Sequence, residues 1–118
     1  MAKCLTLAFI SIIILMSKAS YPLESAMHKA EVAKCYILSS FFSSNAEIMH
    51  EGIKEYSQNI YDKAVLKIKL FDISELSIDE MRQMLNLEDI YEPLVSKKEF
   101  QRIEQILNVC SNTLKIGK

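Results

Sequence analysis

The sequence predicts an all-α protein, a small bundle of four to five helices closed by one disulfide bond. Its 118 residues include two glycines and two prolines, too few for the many turns of a β-rich protein. Several long stretches carry apolar residues at the steps of three and four that mark one face of a helix. One early cysteine, Cys35, and one late cysteine, Cys110, are placed to join the first helix to the last.

Residues 1–19 have the features of a signal peptide. Lys3 gives a positively charged start, residues 5–16 form an uncharged and largely apolar run, and Ser17 and Ala19 supply the small residues of a cleavage site. A membrane-spanning helix needs about 20 apolar residues, so a cleaved signal is favoured over a retained anchor. Residues 20–118 are then expected to form a single exported helical domain, periplasmic or secreted.

The charge of the predicted domain excludes two classes of partner. Loss of Lys3 and Lys18 with the signal takes the formal net charge from −1 to −3, and the remaining charges of both signs are interspersed. Nucleic acids and anionic membrane surfaces both require a concentrated basic patch. We therefore expect no nucleic-acid partner and no stable membrane insertion after signal cleavage.

The first helix of the domain is predicted over residues 26–42 and should lie in the core. Its main apolar face follows steps of four, three, four and four: Ala26, Ala30, Ala33, Ile37 and Phe41. Met27 and Leu38 widen that face, and further apolar groups cover much of the opposite side: Val32, Cys35, Tyr36 and Phe42. A helix that is apolar nearly all round needs packed neighbours on several sides.

Three later helix starts are predicted from capping boxes, in which a serine and a glutamate three residues later satisfy two free backbone amides. The pairs are Ser44–Glu47, Ser77–Glu80 and Ser96–Glu99. They predict a second helix over about 45–71, a third after Ser77 and a last one from Ser96 towards Gly117. Residues 65–71 also alternate as a strand would, but a lone strand would have no partner, so helix is favoured.

Apolar stripes indicate which faces of the later helices are buried. In the third helix Ile78, Met81 and Leu85 should face inward, with Met84 beside them. In the last helix the stripe is Phe100, Ile103, Leu107, Cys110 and Leu114. Because Cys110 lies on this buried stripe and export exposes the chain to oxidising conditions, a Cys35–Cys110 disulfide is predicted.

No catalytic constellation or metal site is predicted. His28 and His50 are the two histidines, and neither belongs to a nucleophile, zinc-protease or phosphate-loop motif. A zinc site built from both histidines with Cys35 and Cys110 is an alternative, but it lacks the closely spaced ligand pairs typical of such sites. We therefore predict a non-enzyme without cofactor, although an active site with no sequence signature stays open.

Aromatic side chains are the candidates for a binding surface. Phe42, Tyr61 and Tyr91 are predicted interface residues if they group on the outside, since grouped aromatics mark protein interfaces. The alternative is that the aromatics line a cavity for a small apolar ligand. The sequence thus favours an exported accessory protein that binds an unknown protein partner, with an apolar-ligand carrier as runner-up.

The overall layout is similar to that of small exported bacterial helical proteins with one early and one late cysteine, such as periplasmic acid-stress chaperones. The similarity covers the size, the signal peptide and the single cysteine pair. The long interval between Cys35 and Cys110 departs from those chaperones, and no motif matches residue by residue. No activity is carried over from them.

Overall fold

Within the residues that the structure describes, 26–45 and 50–116 of a computed structural model, every regular element is a helix. Four helices are long and two are short turns. In chain order they are α1 (residues 26–44), α2 (Glu51–Leu70), α3 (Glu75–Leu85), α4 (Leu87–Ile90), α5 (Glu92–Ser96) and α6 (Phe100–Ile116). The predicted all-α class is confirmed, and the four long helices agree with the predicted four to five. The predicted signal peptide, residues 1–19, lies outside the described residues.

Helix α1 is the central helix, as predicted. Its fully buried positions lie on nearly all sides of the helix: Val32, Ala33, Cys35, Ile37, Leu38, Ser39 and Phe42. The hydroxyl of Ser39 donates to the Tyr36 carbonyl at 3.2 Å, so this buried polar group is satisfied within its own helix. The prediction fails for Ala26 and Met27, at the start of the described part of α1, because both residues are exposed.

The first capping-box prediction is wrong. Ser44 is the last residue of α1, and its hydroxyl donates to the Phe41 carbonyl at 2.9 Å instead of capping a new helix. Helix α2 begins at Glu51, and its N-cap is His50, whose Nδ1 accepts the Ile53 amide hydrogen at 3.4 Å. The helix continues to Leu70, which confirms helix over strand for that segment.

The other two predicted capping boxes lie close to helix boundaries, but neither Ser77 nor Ser96 is the N-cap residue. Ser74 caps α3, its hydroxyl accepting the Ser77 amide hydrogen at 3.2 Å, so Ser77 lies inside the first turn. Ser96 ends α5, and its hydroxyl donates to the Pro93 carbonyl at 3.4 Å. Helix α6 follows a tight turn in which Lys98 has a left-handed backbone, φ 56°.

Helices α2, α3, α5 and α6 complete the core around α1. The contributing side chains are Ile53, Ile60 and Ala64 of α2, Ile78 and Leu85 of α3, Leu94 and Val95 of α5, and Ile103, Leu107, Cys110 and Leu114 of α6. The stripe predicted for the last helix is therefore confirmed, with Phe100 half-buried at its start. The prediction that Met84 lies beside the inward-facing residues of α3 is wrong, because Met84 is 77% exposed and faces away from the core.

The predicted disulfide is confirmed. Cys35 of α1 and Cys110 of α6 are bonded, with their Cα atoms 5.5 Å apart. Both residues are buried. The bond links the first described helix to the last across a sequence separation of 75 residues.

None of the described helices is both long and apolar enough to cross a membrane.

Candidate functional site

The three predicted interface aromatics do not form one external group. Phe42 is 0% exposed, so its assignment to an interface is wrong. The apolar residues of α1 cover nearly its whole circumference, and sequence alone could not tell which of them reach the surface. Tyr61 and Tyr91 are half-buried and lie apart in different contacts. Tyr61 stacks on Tyr36, whereas Tyr91 packs edge-on against Phe42 at 6.4 Å between ring centroids.

Tyr91 lies in a surface groove between the α4–α5 junction and α6. The groove has a volume of about 370 Å³ and is open to solvent along one side. We call it the Tyr91 groove. Its lining consists of Ile90, Tyr91, Leu94, Arg102, Gln105, Ile106 and Val109.

A smaller cavity of about 140 Å³ continues the groove towards α1. Tyr91, Ile106 and Val109 line both spaces, so the two adjoin. The smaller cavity adds Leu38 and the two bonded cysteines to the wall, together with Glu31 and Lys34. The combined surface is therefore built by three parts of the fold: α1, the α4–α5 junction and α6.

The rim of the Tyr91 groove leaves large apolar side chains in water. Ile90 is 54% exposed and Val109 is 61% exposed, while Tyr91 and Ile106 are half-buried and Leu94 forms part of the core. Each Å² of apolar surface removed from water is worth roughly 25 cal/mol, so covering these groups would be favourable. A concave apolar surface of this kind is typical of a place where another molecule binds.

The local sequence explains why apolar groups reach this surface. Ile106 and Val109 follow Ile103 at helical steps, but they lie beside the core stripe of α6 and so extend it outward. The backbone of Tyr91 is held on both sides, because its amide donates to the Leu87 carbonyl at 2.9 Å and its carbonyl accepts the Leu94 amide at 3.0 Å. Tyr91 was a predicted interface residue, whereas its aliphatic neighbours were not selected. Their one indication in the sequence is that they are apolar residues outside the core stripe.

Charged residues at the edges of the groove carry both signs. Glu31 and Lys34 line the small cavity beside the disulfide, and Arg102 lines the Tyr91 groove itself. Arg102 also approaches Glu99 at 3.9 Å, and this exposed contact contributes little to stability. An apolar surface flanked by charged residues of both signs resembles the anatomy of protein–protein interfaces.

A second groove of about 350 Å³ separates residues 26–33 of α1 from α3. Ala30 and Ala33 face Met81 and Met84 across it, and its remaining lining is more polar, including Lys29 and Glu80. Among the large apolar residues of its lining, Met84 is the most exposed. We regard the Tyr91 groove as the better candidate because, together with the adjoining cavity, its apolar residues come from three parts of the fold.

The histidines and cysteines are not brought together as a zinc site. The two sulfur atoms bind each other, so they are not free thiolates. The ring of His28 packs edge-on against Phe71 at 5.3 Å, and the ring of His50 packs edge-on against Phe100 at 4.7 Å. Among the residues that the structure describes, no group of three or more histidine, cysteine or acidic side chains is arranged to hold a metal ion.

In the described part of the chain, the pKa of one side chain departs clearly from its ordinary value. A hydrogen bond with Tyr36 raises the pKa of the Tyr61 phenol above its ordinary value, and the negative charge that Tyr36 and Asp62 can carry acts in the same direction. The two rings stack with centroids 5.5 Å apart. This pair lies on the α1–α2 side of the molecule and is not part of the Tyr91 groove.

Comparison of the chain with protein-family models, with curated proteins and with solved structures finds no match in any of the three. A function can therefore be inferred only from the sequence and from the geometry of the groove.

Proposed function

We propose that this protein is an exported, non-catalytic helical protein that binds another protein through the Tyr91 groove. The observation that carries the proposal is the exposed apolar rim formed by Ile90 and Val109 around the half-buried Tyr91. These side chains make the groove suited to apolar side chains of a partner. The signal-like residues 1–19 and the disulfide both support export.

The shape of the groove favours a protein partner over a small apolar ligand. Small-molecule sites bury 70–90% or more of their ligand in a cleft or cavity. The Tyr91 groove holds about 370 Å³ but is open along one side, and the adjoining space adds about 140 Å³. A ligand lying there would keep much of its surface in water, whereas a protein segment could cover the rim as well.

Site-specific photo-cross-linking tests the proposal. A photoreactive amino acid replaces Val109 in the full chain, produced in its source cells, and a matched protein carries it at Leu66. Leu66 of α2 is 66% exposed, similar to the 61% of Val109, but it does not line the groove. We expect a defined protein adduct from position 109 and none from position 66.

Two results would contradict the proposal. Equal adducts from positions 109 and 66 would show that contact is not specific to the groove. Native mass spectrometry that found a bound apolar ligand, with no adduct at position 109, would favour the carrier. As a further control, Ile90→Asp should abolish the adduct at position 109, because Ile90 is an exposed rim residue whose replacement leaves the core intact.

A further inference from the structure

The disulfide belongs to the wall of the binding surface as well as to the core. Cys35 and Cys110 both line the cavity of about 140 Å³ that adjoins the Tyr91 groove. Cys35 belongs to α1 and Cys110 to α6, and their Cα atoms are 5.5 Å apart. The bond therefore sets the spacing between two of the three parts of the fold that build this surface.

We expect breaking the bond to change that wall. Two thiol sulfur atoms rest farther apart than two bonded sulfur atoms, because non-bonded atoms repel at covalent distance. Cys35 is 1% exposed and Cys110 is 3% exposed, and their neighbours Leu38 and Leu107 are also buried. A close-packed interior has little spare room, so either α1 and α6 separate or the thiols turn into the small cavity. Both changes alter the surface next to Ile106 and Val109.

We propose that the redox state of Cys35–Cys110 regulates partner binding at the Tyr91 groove. This inference rests on the proposed function. The oxidised protein binds the partner, and reduction weakens binding. The reductant is a dithiol: it supplies two electrons and two protons, the sulfur–sulfur bond becomes two thiols, and the dithiol becomes a disulfide.

The coupling between the redox state of the cysteines and partner binding acts in both directions. If reduction weakens partner binding by a given factor, the bound partner must favour the oxidised form by that factor. The cavity that the two cysteines border is partly open to solvent and adjoins the Tyr91 groove. A partner bound in the groove covers part of that opening, so it also slows access of a small dithiol to the bond.

Fluorine NMR tests the effect on the groove without any partner. The protein is labelled with 3-fluorotyrosine, and the resonances of Tyr91 and Tyr61 are assigned with Tyr91→Phe and Tyr61→Phe. Spectra are compared before and after reduction with dithiothreitol. We expect the Tyr91 resonance to shift while that of Tyr61, which lies against Tyr36 away from the groove, stays in place.

Three outcomes would overturn the proposal. An unchanged Tyr91 resonance would show that the bond does not control the groove. Equal shifts of Tyr91 and Tyr61 in a folded protein would show a change of the whole bundle. Collapse of all tyrosine resonances to unfolded positions would show that the bond holds the fold rather than the groove.

The cross-linking experiment then measures the effect on binding. Dithiothreitol should lower the adduct yield at position 109 by about tenfold, within the range typical of coupling between two sites. An unchanged yield would refute regulation while leaving the proposed function intact. Absence of an adduct in the oxidised protein would refute the proposed function itself, so the two failures can be distinguished.

Discussion

Several residues of this protein have structural roles that the sequence did not predict. His50 is an N-cap through its ring nitrogen, a role that serine, threonine and aspartate fill more often. Tyr36 and Tyr61 interact across α1 and α2, and neither was predicted to contact the other. Such contacts depend on how the helices are placed in space, which residue spacing along the chain does not report.

The Tyr61 phenol is expected to lose its proton at a higher pH than ordinary tyrosines do. Its pKa is raised by the hydrogen bond with Tyr36, so the folded protein holds this proton more tightly than the unfolded chain does. The resulting stability is fully present below the unfolded pKa of about 10 and is lost as the pH rises through the higher folded pKa. NMR of labelled tyrosines across alkaline pH measures the titration.

The variant Tyr36→Phe provides the control for this titration. It keeps the stacked ring but removes the hydroxyl, so the pKa of Tyr61 should move back towards its ordinary value. If Tyr61 titrated at the same pH in both proteins, the hydrogen bond with Tyr36 would not be the cause.

At the level of helices, apolar periodicity predicted where each long element lies but not where it begins. The three serines chosen as caps are all close to helix boundaries, yet Ser44 and Ser96 end helices and Ser77 lies within one. A serine hydroxyl can accept from an amide at a helix start or donate to a carbonyl three residues back. Which of these occurs depends on the backbone path, which the local sequence leaves open.

Two serine substitutions separate a true cap from a serine that only ends a helix. Ser74→Ala should lower the free energy of unfolding by about 1 kcal/mol, because the amide of Ser77 loses its acceptor. Ser96→Ala should change it by less than about 0.5 kcal/mol, since Ser96 is exposed and caps nothing. Urea unfolding followed by circular dichroism compares the two. Equal losses would mean that the boundary between α5 and α6 is misplaced.

The candidate site was only partly predictable for a related reason. Tyr91 could be selected as an aromatic outside the clear core stripes, but Phe42 could not be recognised as buried from a helix that is apolar nearly all round. Ile90, Ile106 and Val109 come together because α4, α5 and α6 fold onto one another. That juxtaposition follows from tertiary packing, whereas the apolar stripe of α6 followed from sequence alone.

At the level of the whole molecule, the disulfide connects the first and last described helices and encloses most of the chain between them. Closing so long a loop restricts the unfolded chain by about 4.5 kcal/mol on the chain-entropy account, although measured values are often smaller. The buried apolar faces of α1, α2 and α6 would still hold helices together without the bond. The bond therefore adds to a core that already exists.

Reduction should lower the melting temperature while leaving much of the helix content. Circular dichroism before and after treatment with dithiothreitol measures both quantities, and intact mass confirms the change in redox state. Complete loss of helix on reduction at room temperature would show that the apolar core alone cannot maintain the fold. A native mass that matched two free thiols would refute the bond itself.

The most direct test of the central claim is the affinity of the cross-linked partner, once purified, for three forms of this protein measured by titration calorimetry. The account predicts that Val109→Asp weakens binding by about tenfold or more, as loss of an important apolar contact does. Leu66→Asp, a matched exposed position on α2, should leave the affinity unchanged relative to the unsubstituted protein. Equal affinities of all three forms would show that the Tyr91 groove is not the binding surface.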